Sequence, residues 1–170
     1  MKRSKIRELT YISLCVAIMA VLSQIAIPTG AVPITLQTFV VALTGYFLGF
    51  KNGLIAIITY VLLGLVGVPV FASFQGGLHI LIGYTGGFIF GYLPFVALCG
   101  INAKRTTRII LGIMGVLVCH MFGVIQYSLL AEINIFASFV AVSLPFLIKD
   151  VALVVGAYFV SESLRKKINE

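Results

Sequence analysis

The chain has 170 residues, a net charge of +7, 61% hydrophobic residues and only 10% charged ones. Soluble proteins carry about 45–50% apolar residues even with glycine counted, and about 25% charged ones, so this chain cannot coat a water-soluble globule and is expected to be an integral membrane protein. At about 20 residues per helical span no length remains for a nucleotide-binding domain, and no Walker A pattern occurs. The basic residues stand in short clusters between apolar runs, a pattern of membrane topology rather than of nucleic-acid binding.

The expected fold is all-α, one integral membrane domain over residues 1–170 with six transmembrane helices. Span 1 covers about 9–27, after the basic tail Lys2, Arg3, Lys5, Arg7. Its apolar run is too long for a signal peptide, and Pro28-Thr29-Gly30 closes it without a clear cleavage site. Span 2 covers 35–50, and Lys51-Asn52-Gly53 reads as a tight turn into span 3 at 54–68. A longer connection, 69–82, leads to span 4 at 83–101. After Lys104, Arg105 and Arg108, span 5 runs over 109–130. The apolar stretch 133–144 is short for a span and reads as an interfacial or re-entrant piece. Span 6, 145–163, opens at Pro145, a favoured first helical residue, and ends in Arg165-Lys166-Lys167. Six spans put every basic residue except Lys149 on the side of the termini, which the positive-inside rule makes cytoplasmic.

On the outer side this topology gathers the unusual segments. These are Pro33-Ile34-Thr35-Leu36-Gln37-Thr38-Phe39, Gly67-Val68-Pro69-Val70-Phe71, Gln75-Gly76-Gly77-Leu78-His79, Gly83-Tyr84-Thr85-Gly86-Gly87, Gln126-Tyr127 and Lys149-Asp150. A carboxylate inside a span costs several kcal/mol unless it meets a partner or a wet cavity. Asp150 therefore either contacts a ligand or pairs with a neighbour to orient helices. Lys149 is not expected to be that neighbour, since adjacent residues on a helix do not face each other. It supplies a cation for an acidic ligand or snorkels to the interface. Gln37, Gln75 and Tyr84 are candidate ligand donors, His79 a candidate for the pocket wall, Tyr127 for an interfacial aromatic belt, and His120 for an interhelical hydrogen bond. The histidines and Cys15, Cys99 and Cys119 have no metal-ligand spacing, and the cysteines read as small buried apolar residues. Gly83, Gly87 and Gly91 form a tandem G-x-x-x-G stripe for close helix packing. Ser13, Ala17 and Ala20 form a second small-residue stripe, either for packing within the bundle or as a docking face for another membrane subunit. No G-x-S-x-G, no H-E-x-x-H and no pair of intramembrane aspartates occurs, so an enzyme is not expected.

The outer motifs together resemble the BioY family, the biotin-binding S components of energy-coupling factor (ECF) vitamin transporters. Val32 through Phe39 carries the most specific part of the likeness. Gly67 through Phe71, Gly76-Gly77, Thr85-Gly86-Gly87, and Pro145-Phe146 with Asp150 follow in order over nearly the whole chain. Two positions depart from the pattern: Tyr84 stands where proline often precedes T-G-G, and Leu153 where lysine often follows the aspartate by one turn. The resemblance implies an S-component bundle in the plasma membrane of a prokaryote, with no cofactor. It implies capture of biotin from outside and docking onto a transmembrane coupling subunit driven by two cytoplasmic ATPase subunits. It implies a ligand site among Asp150, Lys149, Gln37, Phe71, Gln75, Gly77, His79, Tyr84 and Thr85, and a docking face at Ser13, Ala17 and Ala20. Asp150 suits a ureido N–H, Gln37 or Gln75 the ureido carbonyl, and Lys149 or His79 the acidic tail. The alternatives are an S component for another small vitamin, a self-contained small transporter, and a structural membrane subunit without a ligand.

Overall fold

The computed structural model describes residues 2–28 and 32–169. Thr29 and Gly30, read from the sequence as closing span 1, lie outside the described residues. Helix α1 (Lys2–Leu22) is followed by a two-residue antiparallel ladder, β1 (Ala26–Ile27) with β2 (Ile34–Thr35). Then come α2 (Gln37–Leu65), a 3-10 turn at Ala72–Phe74, α3 (Leu78–Ile82), α4 (Gly86–Cys99), α5 (Arg105–Ala131), α6 (Ile135–Val142) and α7 (Leu144–Asn169). In lipid every backbone N–H and C=O needs a partner inside the protein, which a helix supplies within one segment. The segments Gln37–Leu65, Arg105–Ala131 and Leu144–Ile168 are long and apolar enough to cross a membrane. Large apolar side chains are exposed along these helices, Leu129 at 75% and Ile148 at 86%. That exposure suits a surface solvated by lipid rather than water.

Helix α2 is not one rod. Gly49 leaves the helical region with φ 79° and ψ 179°, a backbone state open to glycine at little cost. Gln37 and Tyr60 would be about 34 Å apart along a straight helix, yet Gln37 Nε2 donates to Tyr60 Oη at 2.8 Å. The chain therefore doubles back at Gly49 into two antiparallel arms. The expected turn at Lys51-Asn52-Gly53 is corrected: those three residues are helical and open the second arm. Sequence alone marked Asn52-Gly53 as the punctuation, but Gly53 is instead a packing site, its Cα facing Gly45 and Val96.

Just before the break at Gly49, two cations sit on the carbonyls of Tyr46 and Phe47. Arg108 donates to Tyr46 O at 2.9 Å and pairs with Glu162 at 2.7 Å. Arg165 donates to Phe47 O at 3.0 Å. Positive charge at a helix C-terminus also complements its dipole. These contacts tie the bend of α2, the start of α5 and the end of α7 together at one end of the bundle.

Helix α4 packs on α5 through Gly87, whose α-carbon faces Phe122 O and Gly123, and through Gly91, which faces Cys119. This is the close approach that the glycine stripe predicts; Gly83 lies ahead of α4, against His79 O. Span limits expected at Ile27, Val68 and Ile101 are replaced by helix ends at Leu22, Leu65 and Cys99. Residues 78–82, read as connection, form α3, and 135–142 within the short apolar stretch form α6. All three cysteines are buried and free.

Candidate functional site

The opposite end of the bundle, away from the Gly49 bend, holds a cavity of about 250 Å³. Pro28, Val32, Pro33, Ile34 and Thr35 line one side. The turn after α2 contributes Phe71, Ala72, Ser73 and Gln75. Phe71 is fixed there because its ring lies over Gly64, where any side chain would displace it, and meets Tyr60 edge-on at 5.6 Å between centroids. Thr85, capping α4, and Phe88, Ile89 and Tyr92 within it line the next side, residues three, four and seven apart that share one helical face. Helix α5 adds Val116, Cys119 and His120 by the same spacing, and α7 adds Phe146, Lys149 and Asp150. The wall is thus mostly apolar, with two polar clusters set into it.

The first cluster centres on Gln37. Its Nε2 donates to Tyr60 Oη at 2.8 Å, and its Oε1 accepts from Tyr92 Oη at 3.0 Å. Tyr60 Oη passes its own hydrogen to Val70 O at 2.7 Å. The amide is oriented by tyrosines on both sides; Oε1 also accepts from Thr35 Oγ1 at 3.3 Å, and one N–H of Nε2 is left over.

The second cluster is ionic. Asp150 is 4% exposed. Its Oδ1 accepts from Lys149 Nζ at 2.6 Å, and its Oδ2 lies 3.1 Å from His120 Nε2. A carboxylate oxygen only accepts, so Nε2 carries the hydrogen of that bond. The other ring nitrogen, Nδ1, meets Ser143 Oγ at 2.9 Å. Lys149 also donates to Thr35 O at 3.0 Å, which leaves one of its three N–H donors. The expectation that Lys149 would not reach Asp150 is corrected. The two Cβ atoms do diverge along the helix, but the four-carbon stem curls back far enough to place Nζ on the neighbouring carboxylate. The carbonyl of Thr35 helps to hold it there.

The structure thus brings together Asp150, Lys149, Gln37, Phe71, Gln75 and Thr85. It leaves three expected site residues outside the cavity wall. Gly77 serves as a backbone joint ahead of α3, at φ 101° and with its N–H on Gly64 O at 2.6 Å. His79 is exposed on α3, and Tyr84 stacks on Tyr127 with centroids 5.3 Å apart. His79 and Tyr84 each stand next to a wall residue in sequence, Ile80 and Thr85, but the backbone between neighbours points them elsewhere. The sequence reading missed Tyr92, Phe88 and His120 in the wall. Their signal was available as helical spacing from Thr85 and from Val116. Among the described residues no group of three or more His, Cys, Asp or Glu side chains can hold a metal ion.

A bundle of apolar helices enclosing one amphipathic cavity near its end defines a multi-pass membrane protein built to hold a small molecule. The chain belongs to the BioY family, whose model matches residues 1–170. It is similar to the probable biotin transporter BioY of Pyrococcus horikoshii, 34% identical over 161 residues that cover 95% of this chain and 98% of that one. It is also similar to biotin transporter BioY2 of Lactococcus lactis subsp. cremoris, 37% identical over 139 residues, 79% of this chain and 76% of that one. Among solved structures it resembles the S-component for biotin from an ECF-type ABC transporter. The TM-score is 0.91 at 26% identity, covering 98% of this chain and 94% of that one. The fold is accordingly an all-α, ECF S-component-like bundle.

Proposed function

We propose that this protein is the biotin-binding subunit of an ECF-type transporter, which captures biotin from the outer side and passes it to an ATP-driven module. The observation that carries this reading is the cavity. Its apolar walls suit the bicyclic body of biotin, and the few polar groups set into them suit the ureido head and the acidic tail. Asp150 accepts a ureido N–H with a lone pair not used by Lys149 or His120, and Gln37 serves the ureido carbonyl. The remaining N–H of Lys149 takes the valerate carboxylate. The names of the relatives support biotin over another small vitamin. Membership of a transporter family supports a role without catalysis.

The chain then crosses the membrane six times, with both termini cytoplasmic. The clustering of Arg108 and Arg165 at the Gly49 end, opposite the cavity, supports this orientation by the positive-inside rule. Reporter fusions at Lys51 and Glu132 are expected on opposite sides of the membrane. The same side for both would overturn the six-span topology.

Coupling runs through α1. Ser13 and Ala17 face outward on that helix, and Ala20 is partly covered, which favours a docking face over internal packing. The partners are a transmembrane coupling subunit and two cytoplasmic ATPase subunits. Ala17→Leu is expected to leave biotin binding by the isolated protein nearly unchanged. It should clearly reduce uptake by the full complex, because added bulk separates helices whose attraction depends on close approach. Loss of binding with normal uptake per bound ligand would show that Ala17 packs within the bundle.

A further inference from the structure

We propose that Gln24, which lies outside the cavity wall, is a positioning residue of the ligand site, holding the turn that builds one side of the cavity. The proposal rests on the biotin reading for its ligand but not for its geometry.

Ser73 and Phe74 are consecutive non-glycine residues in left-handed backbone, both at φ 58°. Such conformations are costly for residues with a Cβ and persist only where the surroundings impose them. The turn that contains them supplies Phe71, Ala72, Ser73 and Gln75 to the cavity. Its own closure is slight, one backbone bond from Phe71 N to Gln75 O at 2.9 Å. Tyr60 Oη holds Val70 O at 2.7 Å and Phe71 packs on Gly64, while the far side of the turn is held from the end of α1. Gln24 Oε1 accepts from Phe74 N at 2.6 Å, at the strained residue itself. Gln24 Nε2 lies 2.8 Å from Ala20 O, 2.9 Å from Ser23 Oγ and 3.2 Å from Pro69 O, and shares its two hydrogens among these three acceptors. Ser23 Oγ in turn donates to Val70 O at 2.6 Å. One amide therefore grips both sides of the turn, with its oxygen on an N–H and its nitrogen on carbonyls. No other side chain combines these two polarities at that spacing. Leucine keeps the bulk and loses both, while glutamate keeps the acceptor and loses the donors.

The competing role for Gln24 is plain capping of α1 through Ala20 O. The two roles separate at Phe74. Its side chain is 72% exposed and is absent from the cavity wall, so Phe74→Gly removes little packing. Glycine holds φ 58° without steric cost, so a turn with glycine at 74 needs the clasp less. In detergent, Gln24→Leu is expected to weaken biotin binding about tenfold by calorimetry, the order of a lost hydrogen-bond pair. The double variant Gln24→Leu/Phe74→Gly should recover at least half of that loss on a logarithmic scale. A capping role predicts no recovery. Amide hydrogen exchange at Phe71, measured without ligand, should follow the same order: faster in Gln24→Leu and slowed again in the double variant. Unchanged binding and exchange in Gln24→Leu would overturn the proposal, as would a double variant no better than the single one. A wild-type protein that binds no biotin overturns the functional reading instead, and the exchange measurement then decides the clasp alone.

Discussion

Asp150→Asn is expected to weaken biotin binding by roughly 10- to 150-fold, with the protein still inserted and monodisperse in detergent. The range corresponds to a hydrogen bond to an ionised group, about 1.5–3 kcal/mol, at about 1.4 kcal/mol per decade. Asparagine preserves the volume but replaces one acceptor oxygen by an amide NH2. That group cannot accept from either Lys149 Nζ or His120 Nε2, which approach the two carboxylate oxygens at 2.6 and 3.1 Å. It also removes the charge that holds Lys149 in the cavity. Truncating one member of a fully buried ion pair costs about 3–5 kcal/mol. The Lys149 side chain is 31% exposed, so water screens part of that cost and the fold should survive it. Calorimetry of the variant against wild type measures the effect, and an unchanged affinity would sink the proposed site.

Lys149→Met should lower the affinity for biotin by about tenfold or more and for biotin amide by clearly less. Lys149 has two jobs in the free protein, on Asp150 Oδ1 and on Thr35 O at 3.0 Å. Losing those affects both ligands alike, since both present the same head and body. Losing the third N–H affects only the ligand with a charged tail, by the ~1.5–3 kcal/mol of a charge-assisted bond. The difference between the two ligands therefore isolates the tail contact from the structural pairing. Equal losses would make Lys149 a partner of Asp150 and Thr35 only. The position also bears on Leu153, where the family pattern often has lysine. Lys149 lines the cavity from one residue before Asp150, so a cation is present without one a turn later.

Composition alone settled the largest questions. A chain with so few charges and such long apolar runs has no soluble solution, and backbone satisfaction in lipid leaves helices for this pattern. The Pro33-to-Phe39 run, the glycine pairs and Asp150 were also legible, because they break the apolar monotony at a cost that calls for a reason. The G-x-x-x-G stripe foretold that the glycine face of α4 packs closely, while α5 as its partner at Gly87 and Gly91 came only with the structure. Other features were decided only when the chain closed on itself. The reversal falls at Gly49 rather than at Asn52-Gly53, because Gly45 and Gly53 are needed where the two arms of α2 touch. His120 reads as an interhelical hydrogen-bonding residue without a named partner until α7 and the residue before it bring Asp150 and Ser143 to its two ring nitrogens. His79 and Tyr84 carry suitable chemistry in a suitable segment, but α3 and the start of α4 turn them away from the cavity. Sequence spacing gives the face of one helix; which faces meet across 30 or more residues depends on close packing between helices, and no local pattern encodes that.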